Sequence, residues 1–126
     1  MITVVCFRNA GASYCVPVAA TRAVRDIAGM IPLPSGRANV AGIIPGDPPL
    51  TVIAPLGPGG ASILVIEAAG KTFGLLVETV TGLRRIDDAD IRLAPDGQEA
   101  WLVSGTVDTD GHLTMVTDPD SLAAQL

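Results

Sequence analysis

The sequence predicts an all-β fold made of small barrels or a sandwich of short strands. Apolar, β-rich runs recur along the 126 residues and alternate with turn segments, to which the 14 Gly and 10 Pro contribute. Apolar residues make up 48% of the chain but aromatics only 3%, so Val, Ile, Leu and Ala must fill the core. This length suits a single domain, residues 1–126, with a sizeable core.

The first predicted element is an opening hairpin. Residues 2–8 and 14–18 are apolar and β-rich, and Asn-Ala-Gly at 9–11 supplies the turn. Residues 19–29 fit either a short helix or a strand, and a helical turn followed by a strand satisfies both patterns. The prolines and glycine of residues 30–40 predict a loop.

A second hairpin is predicted next. Residues 40–44 and 50–54 form its strands, and Pro-Gly-Asp-Pro-Pro at 45–49 forms its turn. Residues 48–66 carry no charged side chain, as a membrane span would, but their prolines and glycines would break a helix. We therefore predict strand, loop, strand for this segment and no direct membrane insertion.

The central hairpin spans residues 62–83 and is the most informative stretch of the chain. Two apolar runs flank the polar turn at Gly70 and Lys71. Small residues such as Gly74 stand where a second backbone must pack closely. The stretch is typical of a buried hairpin that holds a partner-binding β-domain together.

The last third of the chain predicts an acidic loop, another hairpin and a helical turn. The loop is residues 86–91, and the hairpin pairs residues 101–106 with 113–117 around an Asp-Gly turn. In the helical turn, Asp118 is the expected N-cap and Pro119 the first helical residue. Leu122 and Leu126 are spaced to share one face of that turn.

Charge excludes one class of partner. The net charge is −5, and the eight basic residues are scattered apart from Arg84-Arg85, so a nucleic-acid backbone is not expected to bind. Residues 1–7 lack a basic segment followed by a long apolar run and a cleavage site. A cytoplasmic location is therefore predicted.

The chemistry-bearing residues do not assemble a catalytic or metal site. Cys6 and Cys15 fall on neighbouring predicted strands and are expected to be free, buried thiols. The acidic residues of 86–91 lack a histidine spaced to complete a metal site, because the single histidine, His112, belongs to the last hairpin. We predict no enzymatic activity, no cofactor and no metal.

An exposed edge or groove is the remaining candidate for a functional surface. The positions Thr21, Val24, Val77, Val80 and Leu83 are candidates to line it. Each of them is equally compatible with a place in the core.

Ordered blocks of the sequence resemble the CheW-like domain of bacterial chemotaxis coupling proteins. Residues 14–18, 31–34 and 40–44 are similar to a family strand, its "PLP" loop and its "V-x-G-V" strand. Residues 74–83 are close to the family's "G-x-x-V-D-x-V-x-x-V" signature. The resemblance extends over nearly the whole chain.

A third block completes the resemblance, and together the blocks imply a fold and partners. Residues 102–107 and 113–122 resemble the family's "I-x-G-x-x" and "L-I-x-I-L-D-x-x-x-L" ending. The resemblance implies two packed five-stranded SH3-like β-barrel lobes with short helical turns. It also implies a non-catalytic adaptor that binds the regulatory domain of a chemotaxis histidine kinase and the cytoplasmic tip of a chemoreceptor.

The chain departs from the family pattern at partner-facing positions. The family's "N-L-R-G" turn falls on residues 45–48, where Asp47 stands in place of the expected arginine. Ala23 replaces the usual acidic residue of the "V-x-E-V" segment, and residues 53–56 replace "V-V-D-L". A rewritten partner surface is therefore expected.

Two functional hypotheses follow from the resemblance and its departures. The first is an adaptor that couples chemoreceptors to the kinase. The alternative is a CheW-like interaction or self-association module outside chemotaxis. The partner-binding residues expected in either case are Thr21, Val24, Gly42, Asp47, Val77 and Val80.

Overall fold

The computed structural model describes residues 1–33, 39–57, 60–93 and 102–126, and these form eleven β-strands and one short helix. The strands are β1 (Ile2–Asn9), β2 (Ala12–Pro17), β3 (Thr21–Asp26), β4 (Ile31–Pro32), β5 (Val40–Ile44), β6 (Leu50–Ile53), β7 (Ser62–Ala68), β8 (Lys71–Val77), β9 (Thr79–Ile86), β10 (Val103–Thr109) and β11 (His112–Thr117). The helix is α1 (Pro119–Ala123), and single 3-10 turns cover Val18–Ala20 and Asp88–Asp90. Parts of two predicted loops and the predicted strand start at Trp101 lie outside the described residues.

The strands form two sheets. Sheet 1 has five strands in the order β10-β11-β2-β1-β9, and sheet 2 has six in the order β3-β7-β8-β6-β5-β4. The predicted all-β class and the hairpins are confirmed. Residues 19–29 begin with the expected helical turn and continue as β3.

Three hairpins close through two-residue turns in which both residues have positive φ. The second residue is glycine each time, since glycine adopts this conformation without steric cost. The turn pairs are Ala10-Gly11, Ala69-Gly70 and Asp110-Gly111. These turns fix the register of β1 with β2, β7 with β8, and β10 with β11.

Sheet 1 curls enough to bring β9 close to the turn between β10 and β11. An ion pair joins Arg84 of β9 to Asp110 of the β10–β11 turn. After β9 the chain crosses to β10, where Arg92 and Thr106 exchange two backbone hydrogen bonds of 2.8 Å. Inside the curl lies a small apolar cluster of Val4, Cys15, Ile86, Val107 and Val116.

Sheet 2 gains a strand that the sequence did not predict. Residues 30–40 were expected to be a loop, but Ile31 and Pro32 pair with β5. Gly42 allows this pairing, because a Cβ atom there would lie only 2.5 Å from the Ile31 carbonyl oxygen. The sixth strand therefore depends on a close backbone approach that residue patterning does not reveal.

The second run of the predicted central hairpin belongs to both sheets. β8 ends in sheet 2 at Val77, and β9 begins in sheet 1 at Thr79. Between them, the Glu78 amide donates to the Arg8 carbonyl oxygen at 3.1 Å, and the Glu78 carboxylate accepts from the Ala10 amide at 2.6 Å. One residue thus carries the chain from one sheet to the other and ties the crossing to the first hairpin.

A shared apolar core joins the two sheets. Phe7 and Val16 of sheet 1 pack in one cluster with Phe73 and Leu75 of sheet 2, and all four are fully buried. Leu122 of α1 belongs to the same cluster and Leu126 packs against it, so the two leucines share one face as predicted. Asp118 and Pro119 occupy the expected N-cap and first helical positions. Within the described ranges, no helix is long and apolar enough to cross a membrane.

Candidate partner-binding groove

A groove of about 450 Å³ lies between the two sheets. One wall is β3, the outermost strand of sheet 2 on that side, and the other is β9, the outermost strand of sheet 1. Val5 of β1 and Leu64 of β7 form the floor. Both walls therefore present a strand edge whose hydrogen-bonding groups are not used by any other strand of the described ranges.

The walls of the groove expose large apolar side chains. Val24 of β3 is 55% exposed and Leu83 of β9 is 66% exposed. Val18, from the 3-10 turn before β3, extends the apolar lining. A contiguous exposed apolar surface of this kind marks an interaction site more often than isolated surface residues do.

Basic side chains flank this apolar surface. Arg22 lines the groove, Arg25 lies on the same strand β3, and Arg85 lies on β9. Arg22 pairs with Glu67 at 3.2 Å, whereas Arg25 and Arg85 form no ion pair with the described residues. The strands around the groove are therefore basic although the chain as a whole is acidic.

The six predicted partner-binding residues lie in three different places. Thr21, Val24 and Val80 line the groove, and the Thr21 hydroxyl donates to the Val18 carbonyl oxygen at 2.8 Å. Val77 is fully buried in the shared core.

Gly42 and Asp47 lie elsewhere in sheet 2. Gly42 is buried in β5, where the Ile31 backbone of β4 packs closely against it. Asp47 is exposed in the β5–β6 turn. Strands β7 and β8 separate β5 and β6 from the groove strand β3. Asp47 therefore belongs to a different surface from Val24.

Sequence reasoning missed several groove features. Val5, Leu64 and Gly82 line the groove, but none was singled out because each also fits an ordinary strand position. The basic strand edges were missed because their arginines are far apart in the chain. Only the neighbouring pair Arg84-Arg85 was a visible signal.

The two cysteines face each other across the first hairpin. Cys6 of β1 is the register partner of Cys15 of β2, and both are free thiols. Burial, and to a smaller extent the neighbouring Cys6 thiol, raise the pKa of Cys15 to about 12. Burial also raises the pKa of Cys6, although the nearby Arg84 guanidinium opposes the rise. Neither thiol is therefore activated as a nucleophile at neutral pH.

The acidic loop has a structural use. The Asp87 carboxylate accepts a hydrogen bond of 3.0 Å from the Ala89 amide and caps the 3-10 turn Asp88–Asp90. His112 lies on β11 in the last hairpin. Among the residues that the structure describes, no group of three His, Cys, Asp or Glu side chains is placed to hold a metal ion.

Comparisons with known proteins agree on one family and one fold. Residues 52–126 match the family model described as the CheW-like domain. The scaffolding protein TtCheW from Thermoanaerobacter tengcongensis has a similar solved structure, with a TM-score of 0.84 over 96% of this chain and 91% of that chain. Its sequence is 21% identical, a level at which the likeness shows the fold. A comparison with curated proteins found no match.

Proposed function

Because the chain belongs to the CheW-like domain family, a family of non-catalytic scaffolds, we propose that it couples chemoreceptors to a chemotaxis histidine kinase in the cytoplasm. The observation that carries this proposal is the apolar groove between the edge strands β3 and β9. An adaptor needs a surface that recognises a protein segment, and the exposed apolar lining of this groove would serve as one.

The groove suits the cytoplasmic tip of a chemoreceptor that presents apolar side chains beside acidic ones. Apolar side chains would cover Val24 and Leu83, and removing this surface from water favours binding by about 25 cal/mol per Å². Carboxylates would meet Arg25 and Arg85, which have no ion-pair partner in the described part of the chain. Such pairs at the margin of an interface mainly set the rate and specificity of association.

The regulatory domain of the kinase is proposed to contact a second surface, at the turn that contains Asp47. This turn joins β5 and β6, which β7 and β8 separate from the groove. Two separate surfaces would allow one adaptor molecule to hold both partners at once. The acidic side chain at this turn is where the chain departs from the family, so the kinase contact would also differ.

A matched pair of leucine variants tests the groove. Leu83 in the groove and Leu113 of β11, outside it, are both strand residues with exposed fractions of 66% and 60%. Leu83→Asp is expected to weaken binding of the receptor tip about tenfold or more, because burial of a leucine side chain contributes about 1.5–3 kcal/mol. Leu113→Asp is expected to leave binding unchanged, and titration calorimetry measures both.

Two outcomes would contradict the groove assignment. One is equal loss of affinity in Leu83→Asp and Leu113→Asp, and the other is full retention in Leu83→Asp. Circular dichroism of each variant checks that the fold is intact.

The departure at Asp47 supports a second candidate, an interaction or self-association module outside chemotaxis. In that case β3 or β9 would pair with a strand of another copy, since both are edge strands. Sedimentation over a range of concentrations distinguishes the two functions. A dimer that Leu83→Asp dissociates, with no binding of kinase or receptor, would replace the adaptor proposal.

A further inference from the structure

A second, smaller pocket lies at one end of the curl of sheet 1. Its volume is about 130 Å³, well below the roughly 300–1,000 Å³ of pockets that hold drug-sized ligands. Arg8 and Ser13 flank the β1–β2 turn, and Thr109 and His112 flank the β10–β11 turn, so the pocket opens where two hairpin turns come together. It has the dimensions for one small chemical group.

The pocket continues the interior of the curl beyond the apolar cluster. Side chains alternate along a strand, so Cys6 and Arg8 lie on one face of β1. Their register partners in β2, Cys15 and Ser13, lie on the same face of the sheet. Cys15 belongs to the apolar cluster and Cys6 packs against it. The interior thus changes from apolar at Cys15 to cationic and hydroxyl-rich at the open end.

The lining has a consistent chemical character. Arg8, Arg84 and His112 supply cationic or N–H donor groups, and Ser13, Thr81 and Thr109 supply hydroxyls. Among the residues that the structure describes, no Asp or Glu lines the pocket, although the chain carries 13 acidic residues against eight basic ones. Two guanidinium groups at one small pocket, of which only that of Arg84 has an ion-pair partner within the described segments, favour an anionic ligand over a cationic one.

The two arginines retain donors for a ligand. Arg8 donates from Nη1 to the Ser13 hydroxyl at 3.3 Å and from Nη2 to the Gly11 carbonyl oxygen at 3.5 Å, and no carboxylate in the described ranges pairs with it. Arg84 uses Nη2 for Asp110, which is not part of the lining. A guanidinium carries five N–H donors, so neither side chain is saturated. The charge of Arg84 reaches the pocket wall, because it acts on the pKa of the Cys6 thiol there.

We propose that this pocket binds a single oxyanion group, either a phosphate or a carboxylate, through Arg8, Arg84 and His112. Guanidinium groups hold both anions by charge-assisted hydrogen bonds, and hydroxyls complete the coordination. The site is distinct from the groove between β3 and β9, so the adaptor function does not depend on it. A free anion or the acidic group of a bound protein can supply the ligand.

The first test is calorimetric titration of the whole chain with inorganic phosphate, at an ionic strength held constant with sodium chloride. Saturable binding of one anion per chain is expected. Arg8→Gln and Arg84→Gln are expected to weaken it by about tenfold or more, since each removes hydrogen bonds to a charged group. Arg85→Gln is the control, because Arg85 is adjacent on β9 and does not line the pocket.

Acetate, titrated in the same way, distinguishes the sources of the ligand. Binding of phosphate alone supports a free phosphate or a phosphoryl group, and comparable binding of acetate supports a carboxylate from a partner. No saturable binding of either anion overturns the proposal. Equal weakening by Arg84→Gln and Arg85→Gln also overturns it, because it would indicate general charge screening.

A second measurement needs no variant. Cys6 lines the pocket whereas Cys15 is fully buried, so alkylation by iodoacetamide in the folded protein reports on Cys6. A bound anion would cover this thiol and disfavour its thiolate, so saturating phosphate is expected to slow alkylation several-fold. An unchanged rate would count against the site even if the arginine variants failed to fold.

Discussion

Gly74 of β8 is a position where a single added methyl group has no room. A Cβ atom there would lie 2.6 Å from Cγ2 of Ile63 and 3.3 Å from Cγ2 of Val52. Both neighbours belong to an apolar cluster within sheet 2. The close packing predicted for this glycine therefore arises inside one sheet.

Gly74→Val is expected to lower the free energy of unfolding by roughly 1–3 kcal/mol, because overpacking forces neighbouring side chains or the backbone to shift. Thermal denaturation measures the change. Ala23→Val is the control, because it adds volume at an exposed position of the edge strand β3. A melting temperature equal to that of the unmodified protein would contradict the packing argument.

Cys15 predicts a dependence of stability on pH. Burial raises its pKa to about 12 from an ordinary value of 9.0, so the folded protein keeps a proton that the unfolded chain loses in this window. The free energy of unfolding should therefore fall as pH rises from 9 to 12, by about 1.4 kcal/mol per pH unit for this group. Urea denaturation across that range is expected to show a shallower fall in Cys15→Ala. Equal slopes in the two proteins would refute the assignment.

At the scale of elements, the crossing from β8 to β9 depends on Glu78. Its carboxylate holds the Ala10 amide at 2.6 Å and so connects the crossing to the β1–β2 turn. Glu78→Ala is expected to cost about 1 kcal/mol of stability, as for a typical intramolecular hydrogen bond. Glu67→Ala, which removes only the exposed ion pair with Arg22, is expected to cost less, near the low end of about 0–1 kcal/mol. Urea denaturation that ranks the two variants in the opposite order would contradict this account.

The elements that could be predicted from sequence are those with local signals. Hairpin turns such as Asp110-Gly111 combine a turn residue with a glycine, and the N-cap at Asp118 precedes a proline. The strand at Ile31–Pro32 was missed because its pairing with β5 is possible only where residue 42 has no Cβ atom, as in glycine. Local patterns could not show that residues 74–83 divide between two sheets at Glu78.

The candidate site was predictable only in part for the same reason. Val24 and Val80 stood out as apolar residues of edge-like strands, and both line the groove. Arg25 and Arg85 gave no common signal, because the fold alone brings β3 and β9 to the same groove. Val77 has the same residue type as Val24 and lies in the core, and only tertiary packing distinguishes the two.

At the scale of the whole molecule, Asp47 tests whether the kinase contact follows the family pattern. If the partner presents a carboxylate to the usual arginine, Asp47→Arg should strengthen binding of the kinase regulatory domain on the order of tenfold or more. Asp88→Arg, in the 3-10 turn that follows β9, is the control with the same change in net charge. Titration calorimetry with the kinase domain of the same organism measures both.

The result of that titration distinguishes a chain that has kept the kinase as its partner from one that has exchanged it. Binding by the unmodified chain would mean that it is a functional adaptor in which Asp47 contacts the kinase in a different way from the family's arginine. Binding by Asp47→Arg alone would mean that the normal partner has been exchanged. Equal gains in Asp47→Arg and Asp88→Arg would show that net charge rather than the turn controls affinity.

The parallel pairing of β11 with β2 has a consequence for how the chain folds as it is synthesised. Thr114 and Ser13 are register partners, so sheet 1 joins residues from opposite ends of the chain. Residues 103–117 must be synthesised before β2 can pair with β11. Only then is the apolar cluster around Cys15 complete. Contacts so distant in sequence slow folding, because loop closure must precede the gain from pairing. β2 therefore lacks its outer neighbour until residues 103–117 have been synthesised, and chaperones that shield strand edges would act on the first hairpin during that interval.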